Sequence, residues 1–145
     1  MASEFPTEDA LINTAVDRLA PLGLEVFLGV PCLSRCIDMV IVQGTLPVAI
    51  EFKLHDWRRG IDQAAEHRLA VDRTYVCLPP RKVSAAMKEA FAESGVGLLF
   101  LGGSEWPFQE VCPAKGSEVK WPIAEAWLRD SLQARRQQNG EVVLR

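Results

Sequence analysis

Apolar and polar positions recur with two different periods along this 145-residue chain, and the switches between them mark out its elements. From Glu8 to Ala20 the residues Leu11, Ile12, Ala15, Val16 and Leu19 form the stripe of an amphipathic helix. Thr7 suits its N-cap, acidic residues fill its first turn, and Pro21-Leu22-Gly23 stops it. A strand follows over Leu24 to Val30, then a loop over Pro31 to Arg35. Two further apolar runs, Cys36 to Val42 and Pro47 to Leu54, flank the sequence QGTL and predict a hairpin. Asp56 caps a second helix reaching about Val71, and Thr74 to Leu78 is the strand after it. A third helix spans about Lys82 to Ser94 and closes on Gly95, and the strand Val96 to Leu101 ends at Gly102-Gly103. Residues 104–121, with Pro107, Pro113 and Gly116, read as irregular. A last amphipathic helix from Pro122 to Gln138 leads to a tail with a turn at Asn139-Gly140. The order αβββαβαβ plus a C-terminal helix predicts an α/β fold, a mixed β-sheet flanked by helices.

One strand breaks its own pattern. IEFKLH, residues 50–55, has the apolar weight of a buried strand but carries Glu51 and Lys53. Side chains alternate between faces, so Val48, Ile50, Phe52 and Leu54 share one face, and Ala49, Glu51 and Lys53 the other. A two-residue turn at Gly44-Thr45, glycine first, pairs Gln43 with Leu46 and Val42 with Pro47. Continued along the hairpin, that register sets Asp38 opposite Glu51 on one face, with Cβ atoms roughly 4.5–5.5 Å apart. Two carboxylates so placed repel by about 4 kcal/mol at ~4 Å and an effective dielectric near 20. Lys53 offsets one charge of two. A divalent cation completes the balance, and an all-oxygen donor set favours Mg2+ or Mn2+ over zinc.

Neighbouring helices add candidates. Glu8 lies three and four residues before Leu11 and Ile12, on the apolar stripe of the first helix, either as a partner to the site or as a complement to the helix N-terminus. Gln63 and His67 are one turn apart on the second helix, either an ordinary polar pair on a helix flank or a water- or phosphate-orienting amide beside a candidate base.

Length and composition bound these readings. The chain suits a single domain over residues 1–145, and at 48% hydrophobic and 24% charged residues, without repeats, it has the means for an ordinary core. MASEFPTEDA has neither the basic nor the apolar part of a secretory signal, and no apolar run approaches the ~18 residues of a membrane span, so a cytoplasmic protein is expected. Cys32, Cys36, Cys77 and Cys112 then read as free thiols rather than disulfides or a zinc site. A net charge of −3 argues against coating nucleic acid by bulk electrostatics, though Arg58, Arg59, Arg68, Arg73, Arg81 and Lys82 cluster after the anomalous strand, as solvated surface or as phosphate contacts.

Taken together, Asp38, the triplet Glu51-Phe52-Lys53 and Gln63 on the following helix resemble the PD-(D/E)XK nuclease superfamily, the restriction-endonuclease-like fold, over a core of about residues 7–101 with residues 102–145 as an extension. The resemblance implies a Mg2+- or Mn2+-dependent deoxyribonuclease serving restriction, repair or mobile-element processing. It implies Asp38 and Glu51 as metal ligands, with the Phe52 backbone carbonyl as a third. Lys53 would orient the attacking water and stabilise charge on phosphorus, Gln63 would be an accessory residue, and Glu8 would match the acid often found on the first helix. Ile37 stands where proline is frequent before the aspartate. QAAEHR looks like the QAxxYR form of small prokaryotic members, with His67 in place of tyrosine. DNA is the implied substrate, with RNA still open, and specificity would come from loops such as Pro31 to Arg35, from residues 104–121, from a homodimer or from a partner protein. The alternatives are a catalytically silent module on this fold that binds nucleic acid or a protein, and a plain α/β domain in which Lys53 bridges the two acids.

Overall fold

In the computed structural model, which describes residues 5–102 and 106–139, six strands form one sheet in the order of the chain. They are β1 (Glu25–Cys32), β2 (Arg35–Gln43), β3 (Leu46–Phe52), β4 (Arg73–Leu78), β5 (Gly97–Leu101) and β6 (Phe108–Cys112). The helices are α1 (Glu8–Leu19), α2 (Trp57–His67), α3 (Ala85–Ser94) and α4 (Pro122–Asn139). β1, β2 and β3 are an antiparallel meander; β3, β4 and β5 run parallel through crossovers that contain α2 and α3; β6 returns antiparallel at the far edge. This is the mixed sheet with flanking helices and a C-terminal helix that the patterning predicts.

The helices divide unequally between the two faces. α1 alone packs Leu11, Ala15, Val16 and Leu19 on Met39, Ile41, Ile50, Phe52 and Cys77. On the opposite face α2 and α3 cover Val76, Leu78, Leu98 and Phe100, while α4 sets Ala124, Leu128 and Leu132 on Phe27, Val30 and Val40. Glu51 stands beside Val76 in the parallel register, so its side chain belongs to the face covered by α2.

Hairpin register follows expectation. Gln43 opposes Leu46, Val42 opposes Pro47 and Met39 opposes Ile50, and Gly44 at φ 63 supplies the left-handed conformation the turn requires. At Gly29, also left-handed at φ 57, the first hairpin turns over. Leu28 packs with the α1 cluster but Val30 with the α4 cluster, and on β2 the same exchange separates Met39 from Ile37. Asp38 lies at this crossover.

Several expected boundaries move, and β3 ends at Phe52 rather than Leu54. The loop expected over Pro31 to Arg35 shrinks to Leu33-Ser34, with Leu33 at φ 57, because Pro31 lies on an edge strand, where a missing N–H costs nothing. α2 stops at His67 rather than Val71, since the His67 carbonyl accepts from both Ala70 and Val71 and turns the chain into β4. α3 starts at Ala85 rather than Lys82, where the Ser84 hydroxyl caps it by accepting from the Met87 N–H at 3.1 Å. Within residues 104–121, expected to be irregular, Phe108–Cys112 forms the edge strand β6. The expected turn at Asn139-Gly140 falls outside the described residues. All four cysteines are free thiols, and among the described residues no helix is long and apolar enough to cross a membrane.

Candidate active site

The hairpin brings its two acids together as the register requires. The Phe52 N–H donates to Asp38 Oδ2 at 2.9 Å, and the Asp38 carboxyl is hydrogen-bonded to that of Glu51. Glu51 is only 3% exposed. Burial, then the adjoining Glu51, pushes Asp38 up to about 7 against the opposing pull of the Phe52 N–H and Lys53. Burial raises Glu51 as well, while hydrogen bonds from Asp38 and the charge of Lys53 lower it. The pair therefore holds a proton above the ordinary carboxylate range, between Asp38 and Glu51.

The remaining expected residues lie at different distances from this pair. Lys53 follows Glu51 on the same face, and its stem rests on α2 at Gly60, where a Cβ would come within 3.1 Å of Lys53 Cγ and 2.9 Å of a Val76 methyl. Gly60 thus gives the lysine its berth. Overpacking at such a contact costs about 1–3 kcal/mol, and replacing a mid-helix glycine returns at most about 1 kcal/mol. Gly60→Ala is expected to lose up to about 2 kcal/mol in urea unfolding, the clash outweighing the helix propensity. Gln63 lines a polar cleft of about 290 Å³ together with Glu51, Ser34, Arg35 and Cys36. Arg35, from the tip of the first hairpin, is ion-paired with Glu66 of α2 beside it. In an extended strand a residue's N–H and C=O point to the same side, so the Phe52 carbonyl is directed towards β2 with its N–H. Glu8 is exposed in the other layer and outside the cleft lining, and its charge is the smallest influence on Glu51.

His67 is the residue that pattern reading undervalued. It is 2% exposed, and its Nε2 lies 2.5 Å from Glu51 Oε1. Burial holds the ring neutral, lowering it to about 4 despite the opposing charges of Asp38 and Glu66. A neutral ring shares one hydrogen with Oε1 and is the donor when Nε2 carries its proton. The signal was its place in QAAEHR four residues after Gln63, but spacing alone could not say which strand residue it meets.

The basic cluster also resolves. Arg68 donates to the carbonyls of Ser94 and Gly116 and Arg73 to that of Ala114, so both serve the fold. Arg58, Arg59, Arg81 and Lys82 are exposed.

Two carboxyl groups in contact suit a hard divalent ion. The Phe52 N–H engages Asp38 Oδ2, His67 engages Glu51 Oε1, and Asp38 hydrogen-bonds Glu51 as well. Among the described residues no three His, Cys, Asp or Glu side chains converge as a ligand set. A pair of carboxyl groups is a donor set of the kind Mg2+ or Mn2+ takes, with waters in the remaining positions.

No family model matches the chain, and no curated protein matches it. Among solved structures it is similar to SfsA of Pyrococcus furiosus, determined in complex with Ca2+, at 13% sequence identity and a TM-score of 0.41. The likeness covers 74% of this chain but 62% of that one, less than two thirds of its length, and at this level it carries no argument about function.

Proposed function

We propose that this chain is a metal-dependent phosphodiesterase of the PD-(D/E)XK type that cuts DNA, using Mg2+ or Mn2+ held by Asp38 and Glu51. The observation that supports this most is the contact between those two carboxyl groups beside an open polar cleft. Such a pair costs stability unless a proton or a cation lies between its members. When bound, the ion would lower the pKa of a water and polarise the phosphoryl group.

The chain's own groups do the rest. Asp38 and Glu51 present oxygens from adjoining strands, with the Phe52 carbonyl as a further donor. Lys53, steadied on Gly60, orients the attacking water and stabilises charge that develops on phosphorus. Gln63 offers its amide to a water or phosphate in the cleft. Glu8 is an outlying accessory acid. Arg58, Arg59, Arg81 and Lys82 are the exposed cations available to the DNA backbone. Specificity comes from the hairpin tip at residues 31–35, from residues 104–121, or from a second subunit or partner.

A catalytically silent module that binds nucleic acid or a protein is the second reading. It is favoured by the lack of a third His, Cys, Asp or Glu joining the pair among the described residues. A panel of linear, nicked, branched and single-stranded DNA, with an RNA control, separates the two. Cleavage of at least one DNA is expected with Mg2+ or Mn2+ and none with chelator. Binding without cleavage across the panel would put the silent module first.

A further inference from the structure

We infer that His67 is a positioning residue for the metal site, donating Nε2–H to Glu51 Oε1 so that the other carboxylate oxygen is turned towards the ion. The inference rests on the proposed metal-dependent reading and adds a residue to it.

The contact is more than a surface pair. Both side chains are almost wholly removed from water, at 2% and 4% exposure, and the separation is 2.5 Å. A buried carboxylate is costly unless its oxygens find partners. The hairpin supplies Asp38, which bonds Glu51 from its side chain and its backbone, and α2 supplies His67 at Oε1. Ile61 and Ala64 seat the helix on Val76 and Leu78, and the helix ends at His67, whose carbonyl takes the N–H groups of Ala70 and Val71. The ring is thus fixed by both its helix and the turn that follows. Gln63, one turn earlier, lines the cleft that Glu51 also lines. One helix face therefore presents an amide to the cleft and an imidazole to the back of the ligand.

The arrangement has a general chemical purpose. A carboxylate can offer an ion either oxygen, or both, and a hydrogen bond to one leaves the other as the ligand and limits rotation. Partners of this kind typically account for 10–100-fold in metal affinity. Glutamine in place of His67 keeps an N–H near the Nε2 position, whereas leucine keeps bulk and loses the donor.

The test is calorimetry with Mn2+ alone on the intact chain, with circular dichroism to confirm folding. His67→Leu is expected to bind about 10–100-fold more weakly than the parent and His67→Gln within about threefold of it. Equal binding by a folded His67→Leu overturns the positioning role and leaves the metal site standing. If the parent binds no Mn2+, both readings fall. Nitrogen-15 NMR of the Mg2+-loaded parent decides the matter even where the leucine variant fails to fold. A ring protonated at Nε2 supports the inference, and one protonated at Nδ1 alone, or with Nε2 on the ion, overturns it.

Discussion

Lys53→Ala is expected to bind Mn2+ nearly as well as the parent and to cleave DNA about 10²–10⁴-fold more slowly, the usual range for a group that assists proton transfer or stabilises charge in the transition state. Lys53 is not a ligand in the proposed site, so its loss does not remove an oxygen from the ion. Its charge does favour the ionised forms of both acids, so a small loss of metal affinity is expected, most visible below neutral pH. The deficit should appear in kcat, because the interaction is made with charge that develops during the reaction rather than with bound substrate. Calorimetry and single-turnover cleavage on the same preparations check both halves. Equal cleavage by the variant and the parent would place the chemistry at another site or in a contaminant.

Asp38→Ala is expected to weaken Mn2+ binding by more than the roughly 100-fold typical of an outer-shell partner, because it removes a ligand. It should also alter how the metal-free protein responds to pH. Folded Asp38 keeps its proton up to about 7, whereas an unfolded aspartate releases it near about 3.9. Between those values the folded state binds more protons, so this group makes stability fall as pH rises, and Glu51, also raised, acts in the same sense. His67 acts oppositely. It stays neutral in the fold down to about 4, while an unfolded histidine charges near about 6.5, so its contribution is lost as pH falls through that window. Asp38 and Glu51 thus oppose the imidazole, and the alanine variant removes the Asp38 share of that balance. Urea unfolding with chelator at about pH 5 and about pH 7 should therefore show the variant gaining on the parent at the higher pH. The Phe52 N–H left without its acceptor costs about 1–3 kcal/mol at both, so the difference between the two pH values is the quantity to read. A variant that fails to gain on the parent between the two pH values would contradict the raised Asp38.

Metal binding should show the same proton from the other side, since an ion entering between the two carboxyl groups displaces it. Affinity for Mn2+ is accordingly expected to rise with pH up to about 7, and this dependence should be weaker in Asp38→Ala.

What the sequence made legible was mostly local. Hairpin register needs a turn and a parity, both of which QGTL and the alternation of β3 provide, so the meeting of Asp38 with Glu51 was readable before any coordinates. Gln63 could be placed because α2 follows β3 after a short link and its apolar residues fix the buried face. Three things were out of reach for the same reason, that a distant partner decides them. β6 has the weak pattern FQEVC with two exposed polar residues, and becomes a strand because the edge of β5 accepts it. α2 was expected to continue to about Val71, yet Leu69, Ala70 and Val71 turn away to meet β1, β2 and α4. His67 was read either as one of a polar pair on a helix flank or as a candidate base, and only the packing of α2 on the sheet shows that it faces Glu51. Glu8 illustrates the reverse limit: its place on the α1 stripe was correctly periodic, but the stripe belongs to the opposite layer and its first turn is open to solvent.

The Gly44-Thr45 turn also has a kinetic meaning. Because it alone separates β2 from β3, closing it is an early, short-range event on the microsecond scale of hairpins, whereas β3 and β4 can align only after the chain has crossed over through α2. The two acids are therefore expected to meet before the helix that shields them has docked. Conditions that strip their shared proton are then expected to slow folding more than they hasten unfolding, which stopped-flow folding and unfolding at two pH values would check.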